Sequence, residues 1–202
     1  MIKNHSKLQQ LRDLIRTTYI ISTKDLNQLG IPRGYLQVLC EEGLLTKTGR
    51  GMYTTIDGLD VENISLAHVS KAIPKSVICL LSALRFHEIG TQLPHRVWIA
   101  LDRRVAMPSL AQPKIQVVRF SGEALTGGIE THIVAGVGVR VYNPAKTIAD
   151  CFKYRNKTGL EVALEALKEG IRLQKASPTD LWKYAKICRV TKIMQPYMEA
   201  LL

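Results

Sequence analysis

No two of the four cysteines, Cys40, Cys79, Cys151 and Cys188, stand close enough in the chain to make a zinc-type pair. Each lies in an apolar, helix-like context, so buried free thiols are expected rather than disulfides or metal ligands. The histidines are equally sparse. His5, His68, His87, His95 and His132 show no metal spacing, and His87-Glu88 is not followed by the second histidine that a HExxH helix needs. There is no GxxxxGK[ST] loop, and no GxGxxG follows a strand. Gly136-Val137-Gly138 reads as a turn and not as a phosphate cradle. Carboxylates are scattered, with no pair set for acid–base work. No apolar run approaches the eighteen or so residues of a membrane span, and MIKNHSKLQQ lacks the apolar core of a signal peptide. Repeats and low-complexity segments are missing too. These absences argue against an enzyme, a bound cofactor or metal, and a membrane partner, and they favour a reducing cytoplasm.

What the chain does have is positive charge: 28 Lys+Arg against 17 Asp+Glu over 202 residues, a net +11. Residues 1–57 hold eight basic and five acidic side chains, so most of the excess lies further on. An anionic partner such as nucleic acid is the natural inference, although a basic surface can also serve solubility alone.

The segment 21–55 has the order of a winged helix-turn-helix. Ser22-Thr23 can cap a short helix carrying Leu26 and Leu29, and Gly30-Ile31-Pro32 makes the turn. A second helix over 32–42 then places Leu36, Leu39 and Cys40 on one face and stops at Gly43. Residues 44–47 and 52–55 read as two strands joined by Thr48-Gly49-Arg50-Gly51, a hairpin with a basic tip. Leu8, Leu11, Leu14 and Ile15 give residues 6–16 the helical period, so a helix should pack behind this head.

Such a head lays its second helix in a DNA major groove and its wing on phosphate. Arg33 stands at that helix's N-terminus, where bidentate contact with guanine is open to it. Gln37 can read adenine, Tyr35 can hold phosphate or stack on sugar, and Gly34 allows close approach. Ser22, Thr23 and Lys24 are placed for phosphate, as are Lys47, Thr48 and Arg50 in the wing. The plain alternative for each is a solvated surface residue.

A boundary is expected near residue 60, giving a head over 1–60 and a second domain over 61–202. Beyond it, one helix should run from Ser65 to before Pro74 and another from Lys75-Ser76 to Gly90. Strands are expected at 97–101, 115–120, 129–134 and 137–142, with only the last two close enough for a hairpin. Asn143-Pro144 caps a helix with Ala145, Ile148, Ala149 and Phe152 along one stripe, and helices at 158–174, from Ser177-Pro178, and from Thr191 complete the chain. The fold class is therefore α+β: a winged head, then a domain with a small, mainly antiparallel sheet and C-terminal helices. In Ser82-Ala83-Leu84 the small residues suit close helix packing better than nucleophilic chemistry. Lys153, Arg155 and Lys157 could add phosphate contacts or simply solvate a helix end.

The chain resembles the AbiEi-type antitoxins of the AbiE abortive-infection (type IV toxin–antitoxin, phage-defence) systems. Thr23 to Leu26, Leu29-Gly30-Ile31, Leu36, Leu39, Gly43-Leu44-Leu45 and Gly49 to Tyr53 look like that family's winged head. Ser82-Ala83-Leu84 with His87 to Gly90, the strand Val97 to Leu101, and Gly138 to Asp150 look like its second domain. The link Thr91-Gln92-Leu93-Pro94 departs from the pattern. The resemblance implies an autorepressor that binds inverted repeats in its own promoter DNA. It also implies a second domain that counters a nucleotidyltransferase-like toxin, without implying a stable complex between them. A stand-alone winged-helix regulator with a ligand-sensing second domain is the alternative, and a nucleic-acid-modifying enzyme targeted by the head is a third reading.

Overall fold

A computed structural model describes residues 2–201, with side chains from Lys7 to Leu201; His5 lies outside the described side chains. The chain opens with helix α1 (Ile2–Thr17), longer than the expected 6–16 because the turn before Leu8 is helical as well. Strand β1 (Ile20–Ser22) follows, then α2 (Thr23–Gln28), α3 (Gly34–Glu41), β2 (Leu45–Gly49) and β3 (Met52–Thr55). β1, unforeseen in the sequence, pairs antiparallel with β3, whose other edge takes β2, so the wing is a three-stranded sheet. Leu11, Ile21, Leu26, Ile31, Leu36 and Leu39 form the head's core. Two expectations shift here. Leu29 is 47% exposed instead of joining that core, because the chain turns away at Gly30, whose φ of +61° suits glycine. Pro32 and Arg33 precede α3 rather than opening it, so the helix begins two residues later than expected.

The remainder is built on a five-stranded sheet. Helix α4 (Ile64–Ala72) leads to β4 (Val77–Ile78), α5 (Leu80–Phe86), β5 (Val97–Asp102) and β6 (Ile115–Phe120). Next come the short α6 (Glu123–Thr126), then β7 (Ile129–Val134) and β8 (Val137–Tyr142). The helices α7 (Pro144–Lys153), α8 (Arg155–Thr158), α9 (Leu160–Arg172), α10 (Pro178–Cys188) and α11 (Thr191–Leu201) complete the chain. The expected helix from Ser76 to Gly90 is divided: Val77-Ile78 is the central strand, and the helix starts only after Cys79.

Strand order is β6-β5-β4-β8-β7, with β5–β6 and β4–β8 parallel and β4–β5 and β7–β8 antiparallel. The expected mainly antiparallel sheet is thus a mixed one. Inserting β4 at its centre puts β8 parallel to it, and β6 runs parallel to β5 after the loop 103–114. Alternation of side chains divides the sheet's faces. On β5, Val97, Ile99 and Leu101 face one core with Leu66, Ala67 and Val69 of α4, while Trp98 and Ala100 face the other with α5, α7, α9 and α10. Both faces are therefore covered, and α7 is buried from Ala145 through Phe152. Its start is fixed by Asn143, whose side chain accepts from the Lys146 amide at 2.9 Å, with Pro144 at the first position.

The head packs against this body. Ile20 and Met52 belong to the same buried cluster as α4 and the sheet, and Tyr19 packs on it. Lys71 Nζ on α4 lies 2.8 Å from the Asp25 carboxylate on α2. Thr54 Oγ1 of β3 lies 2.9 Å from His68 Nε2.

Candidate nucleic-acid interface

α2 begins with a complete capping box. The Asp25 amide donates to Ser22 Oγ at 3.3 Å, and Asp25 Oδ2 accepts from the Ser22 amide at 2.7 Å and from its hydroxyl at 3.0 Å. Burial pushes the Asp25 carboxyl up, but hydrogen bonds from Lys71 and Ser22 outweigh it and hold the group below its usual value. Ser22 is thereby buried, and its one hydroxyl proton goes to Asp25. It serves as the cap, and a phosphate contact would break that bond. Thr23 and Lys24 follow at the helix start; Lys24 is exposed, and the Thr23 amide donates to Gly51 O at 2.9 Å, clamping the wing tip onto α2.

α3 is held from behind by α1. Arg12 makes a two-pronged contact with Glu42 at 2.8 and 3.0 Å, and Lys7 Nζ donates to Leu29 O in the turn. With Leu36 and Leu39 anchored inward, Arg33, Gly34, Gln37, Val38 and Glu41 are exposed along the outer face. A Cβ on Gly34 would meet nothing within 4 Å, so the surface there is open for close approach. Arg33 Nε points toward Asn27 Oδ1 at 3.4 Å, and Gln37 Nε2 donates to Glu41 Oε1 at 3.1 Å. Both groups would exchange these solvent-exposed bonds for contact with a base. Tyr35 is half-buried, its ring against the head's core, so it has less reach toward a sugar than its neighbours.

In the wing, Lys47 and Arg50 are exposed and form no salt bridge among the described residues. Thr48 instead turns inward to Thr54 Oγ1 at 3.0 Å, which continues to His68. Gly51 has a φ of +68°, and a Cβ there would stand 2.9 Å from Thr23 Oγ1, so glycine is required for the tip to lie on α2. Arg33, Gly34, Gln37, Lys24, Lys47 and Arg50 are thus the positions left open, while the side chains of Ser22 and Thr48 and the backbone of Thr23 are tied into the scaffold. Sequence reasoning missed Lys71 and His68, which sit three apart on α4 and grip the head. Their signal was only the helical period.

Elsewhere, Ser82, His87 and the cysteines have structural roles. Ser82 Oγ accepts from the Trp98 amide at 2.9 Å and joins α5 to β5. His87 Nε2 lies 2.7 Å from Tyr142 O; burial lowers its pKa against the raising effect of that carbonyl. Cys79, Cys151 and Cys188 are buried free thiols, and Cys40 is a half-buried one. The largest surprise is Lys146–Asp150 in α7, an ion pair of 2.6 Å with both side chains fully buried. Lys146 Nζ lies 4.1 Å from the Tyr142 ring centroid and 4.8 Å from that of Phe120. Among the described residues no group of three or more His, Cys, Asp or Glu is arranged to hold a metal ion, and no helix is long and apolar enough to cross a membrane.

Residues 9–56, from within α1 through the end of the wing, match the transcriptional regulator family of AbiEi antitoxins. No curated protein matches the chain. Among solved structures, the RV2827C protein from Mycobacterium tuberculosis is similar at 18% identity and a TM-score of 0.49, over 91% of this chain and 75% of that one. The similarity to AbiEi antitoxin transcriptional regulators thus covers the winged head, residues 9–56.

Proposed function

We propose that this protein is a sequence-specific DNA-binding autorepressor and antitoxin that counteracts a nucleotidyltransferase-like toxin. The observation that carries the DNA half is the outer face of α3. Arg33, Gly34 and Gln37 are exposed there on a helix braced by α1, beside a wing whose Lys47 and Arg50 form no salt bridge among the described residues. In this reading α3 enters the major groove of promoter DNA, Arg33 and Gln37 touch base edges, and Lys24, Lys47 and Arg50 neutralise phosphates. Ser22 and Thr48 hold the geometry, Thr23 adds its hydroxyl at the helix start, and Tyr35 braces α3 from its inner edge. Inverted repeats would be met by two copies of the head.

The antitoxin half is supported by the similarity of residues 9–56 to AbiEi antitoxin regulators, and it assigns residues 61–202 to toxin control and residues 1–60 to the operator. No stable antitoxin–toxin complex is needed for it. The test is paired. The full chain is assayed for binding to its own promoter by mobility shift, and for rescue of growth when co-expressed with the neighbouring toxin gene. Arg33→Ala with Arg50→Ala should abolish the shift and leave rescue intact. Loss of both activities together, in a variant that still folds, would refute the division.

A further inference from the structure

Four cations from three parts of the sequence meet in one recess on the body. Arg103 follows β5, Lys153 ends α7, Lys186 lies in the last turn of α10 and Arg189 caps it. The recess is about 560 Å³, and it is also lined by Ser121–Ala124, which lead from the end of β6 into α6. That size falls within the range of roughly 300–1,000 Å³ typical of small-molecule sites. The only carboxylate on its wall is Glu123, and none of the four cations forms a salt bridge among the described residues. Lys153 also lies over the Phe120 ring at 5.8 Å, whereas outside the recess Arg155 donates to Phe152 O at 3.0 Å and Lys157 lies over the Tyr154 ring. The expected grouping of Lys153, Arg155 and Lys157 therefore dissolves, and Lys153 joins a different set.

The exposed carbonyls at the ends of α7 and α10 account for Lys153 and Lys186, since a helix C-terminus favours a cation. The end of α10 favours Arg189, its C-cap, in the same way, but no helix end accounts for Arg103. Arg189 moreover adopts a left-handed backbone, φ +59°, where glycine would be at ease. Like charges held around one recess repel unless an anion lies between them. The walls offer little apolar surface beyond Ala124 and Ile187, so the ligand should be recognised by charge and not by a buried ring or acyl chain.

The geometry points to a binding site for a compact polyphosphate anion, such as the phosphate chain of a nucleoside polyphosphate, held by Arg103, Lys153, Lys186 and Arg189. Several phosphates in one recess would use all four cations at once, whereas a duplex backbone spreads its charges along a line and would engage the recess at one phosphate. The site is separate from the DNA-reading head, and the proposal does not depend on how that head binds. It gives the second domain a ligand chemistry.

The test is titration calorimetry on the full chain with sodium tripolyphosphate, ATP and a mixed-sequence DNA duplex. Both small anions should bind one per chain, tripolyphosphate as well as ATP if phosphate alone is read, ATP more tightly if the nucleoside is also held. Lys186→Ala and Arg189→Gly should each weaken binding by about tenfold or more, the scale of one lost charge-assisted contact. Arg189→Gly relieves the backbone, so its thermal midpoint without ligand should not fall. Lys168→Ala and Lys192→Ala remove the same charge outside the recess and serve as controls. No saturable binding of either small anion would overturn the proposal. So would equal loss in the controls, or a duplex that displaces tripolyphosphate with a dependence on Lys186 and Arg189.

Discussion

The buried pair in α7 permits a sharp test of how this body is held together. Lys146 and Asp150 are both inaccessible to solvent; the ammonium sits among two aromatic rings, and Asp150 Oδ1 also accepts from Cys188 Sγ at 3.1 Å. Removing one partner of such a pair leaves the other charge unmatched, at a cost of about 3–5 kcal/mol. The two single variants should differ in their response to pH. Asp150→Asn strands a lysine ammonium, and its loss relative to wild type should change little between pH 7 and pH 5. Lys146→Met strands a carboxyl that burial already pushes upward. That carboxyl can take a proton and become neutral.

A carboxyl raised in the fold favours the folded state at low pH and loses that advantage as pH climbs above the unfolded value of 3.8. Holding it protonated at pH 7 costs roughly 1.4 kcal/mol for each of about three pH units, or roughly 4 kcal/mol. Lys146→Met should therefore be worst at neutral pH and should recover by about 2–3 kcal/mol at pH 5. The double variant Lys146→Met with Asp150→Leu should lie close to wild type or above it. Urea unfolding of all four proteins at both pH values, each compared with wild type at the same pH, decides the matter. A Lys146→Met loss that does not change with pH, or single losses below about 1 kcal/mol, would refute a charged, desolvated pair.

At the operator, Arg33→Ala should cost about 1–3 kcal/mol and relax base preference, read by mobility shifts on a panel of point-substituted sites. Arg50→Ala should weaken all sequences alike and lower the slope of affinity against salt by about one, as expected for one phosphate contact. Acid should loosen the fold from about pH 6.5 downward: burial lowers the pKa of His68 and of His87, so the unfolded chain takes up those protons first. Urea midpoints should fall between pH 7.5 and 5.5, and His68→Gln should flatten part of that fall. Asp25 adds its own loss only below 3.8, because its carboxyl is lowered in the fold. Gly51→Ala should destabilise by about 1–2 kcal/mol in thermal unfolding, since the tip is left-handed and pressed on Thr23. Residues 1–60 alone would expose Tyr19, Ile20 and Met52, so circular dichroism should show a poorly cooperative melt and DNA binding should be weaker than with the full chain.

The elements that declare themselves in the sequence are those whose signals are local. Ser22 with Asp25, Asn143 with Pro144, and Ser177 with Pro178 mark helix starts by their own chemistry, and β5 to β8 carry enough apolar alternation to be read in place. β1 and β4 have three and two residues, too few for any period, and they are strands only because a partner lies alongside. Reading β4 as helix hides the join between β5 and β8 at the centre of the sheet, and the parallel run of β6 beside β5 is a second feature with no local signal. At the candidate interface, the outer face of α3 follows from the inward set Leu36 and Leu39. The commitment of Thr48 does not, because it bonds Thr54 across the wing and Thr54 in turn meets His68, which arrives from α4. Lys146 and Asp150 are spaced like an ordinary surface pair; only the helices and rings stacked around α7 make them a buried one.

The way the head is gripped bears on how the two parts of the chain could influence one another. His68 and Lys71 are three residues apart and so lie on one side of α4. His68 reaches Thr54 at the centre of the winged sheet, and Thr54 passes the contact on to Thr48 in the wing. Lys71 reaches Asp25, the residue that closes the capping box of α2. Both contacts end on the wing and the first helix of the motif. The reading helix α3 is braced from the other side, by Arg12 and Lys7 of α1. A shift of α4 relative to the sheet beneath it would therefore carry the wing and α2 first, with α3 following through the head's own core of Leu26, Leu36 and Leu39. Under the proposed function, coupling between the body and DNA would act through the placement of the wing and α2, altering the wing's reach to phosphate and leaving the order of side chains along α3 unchanged.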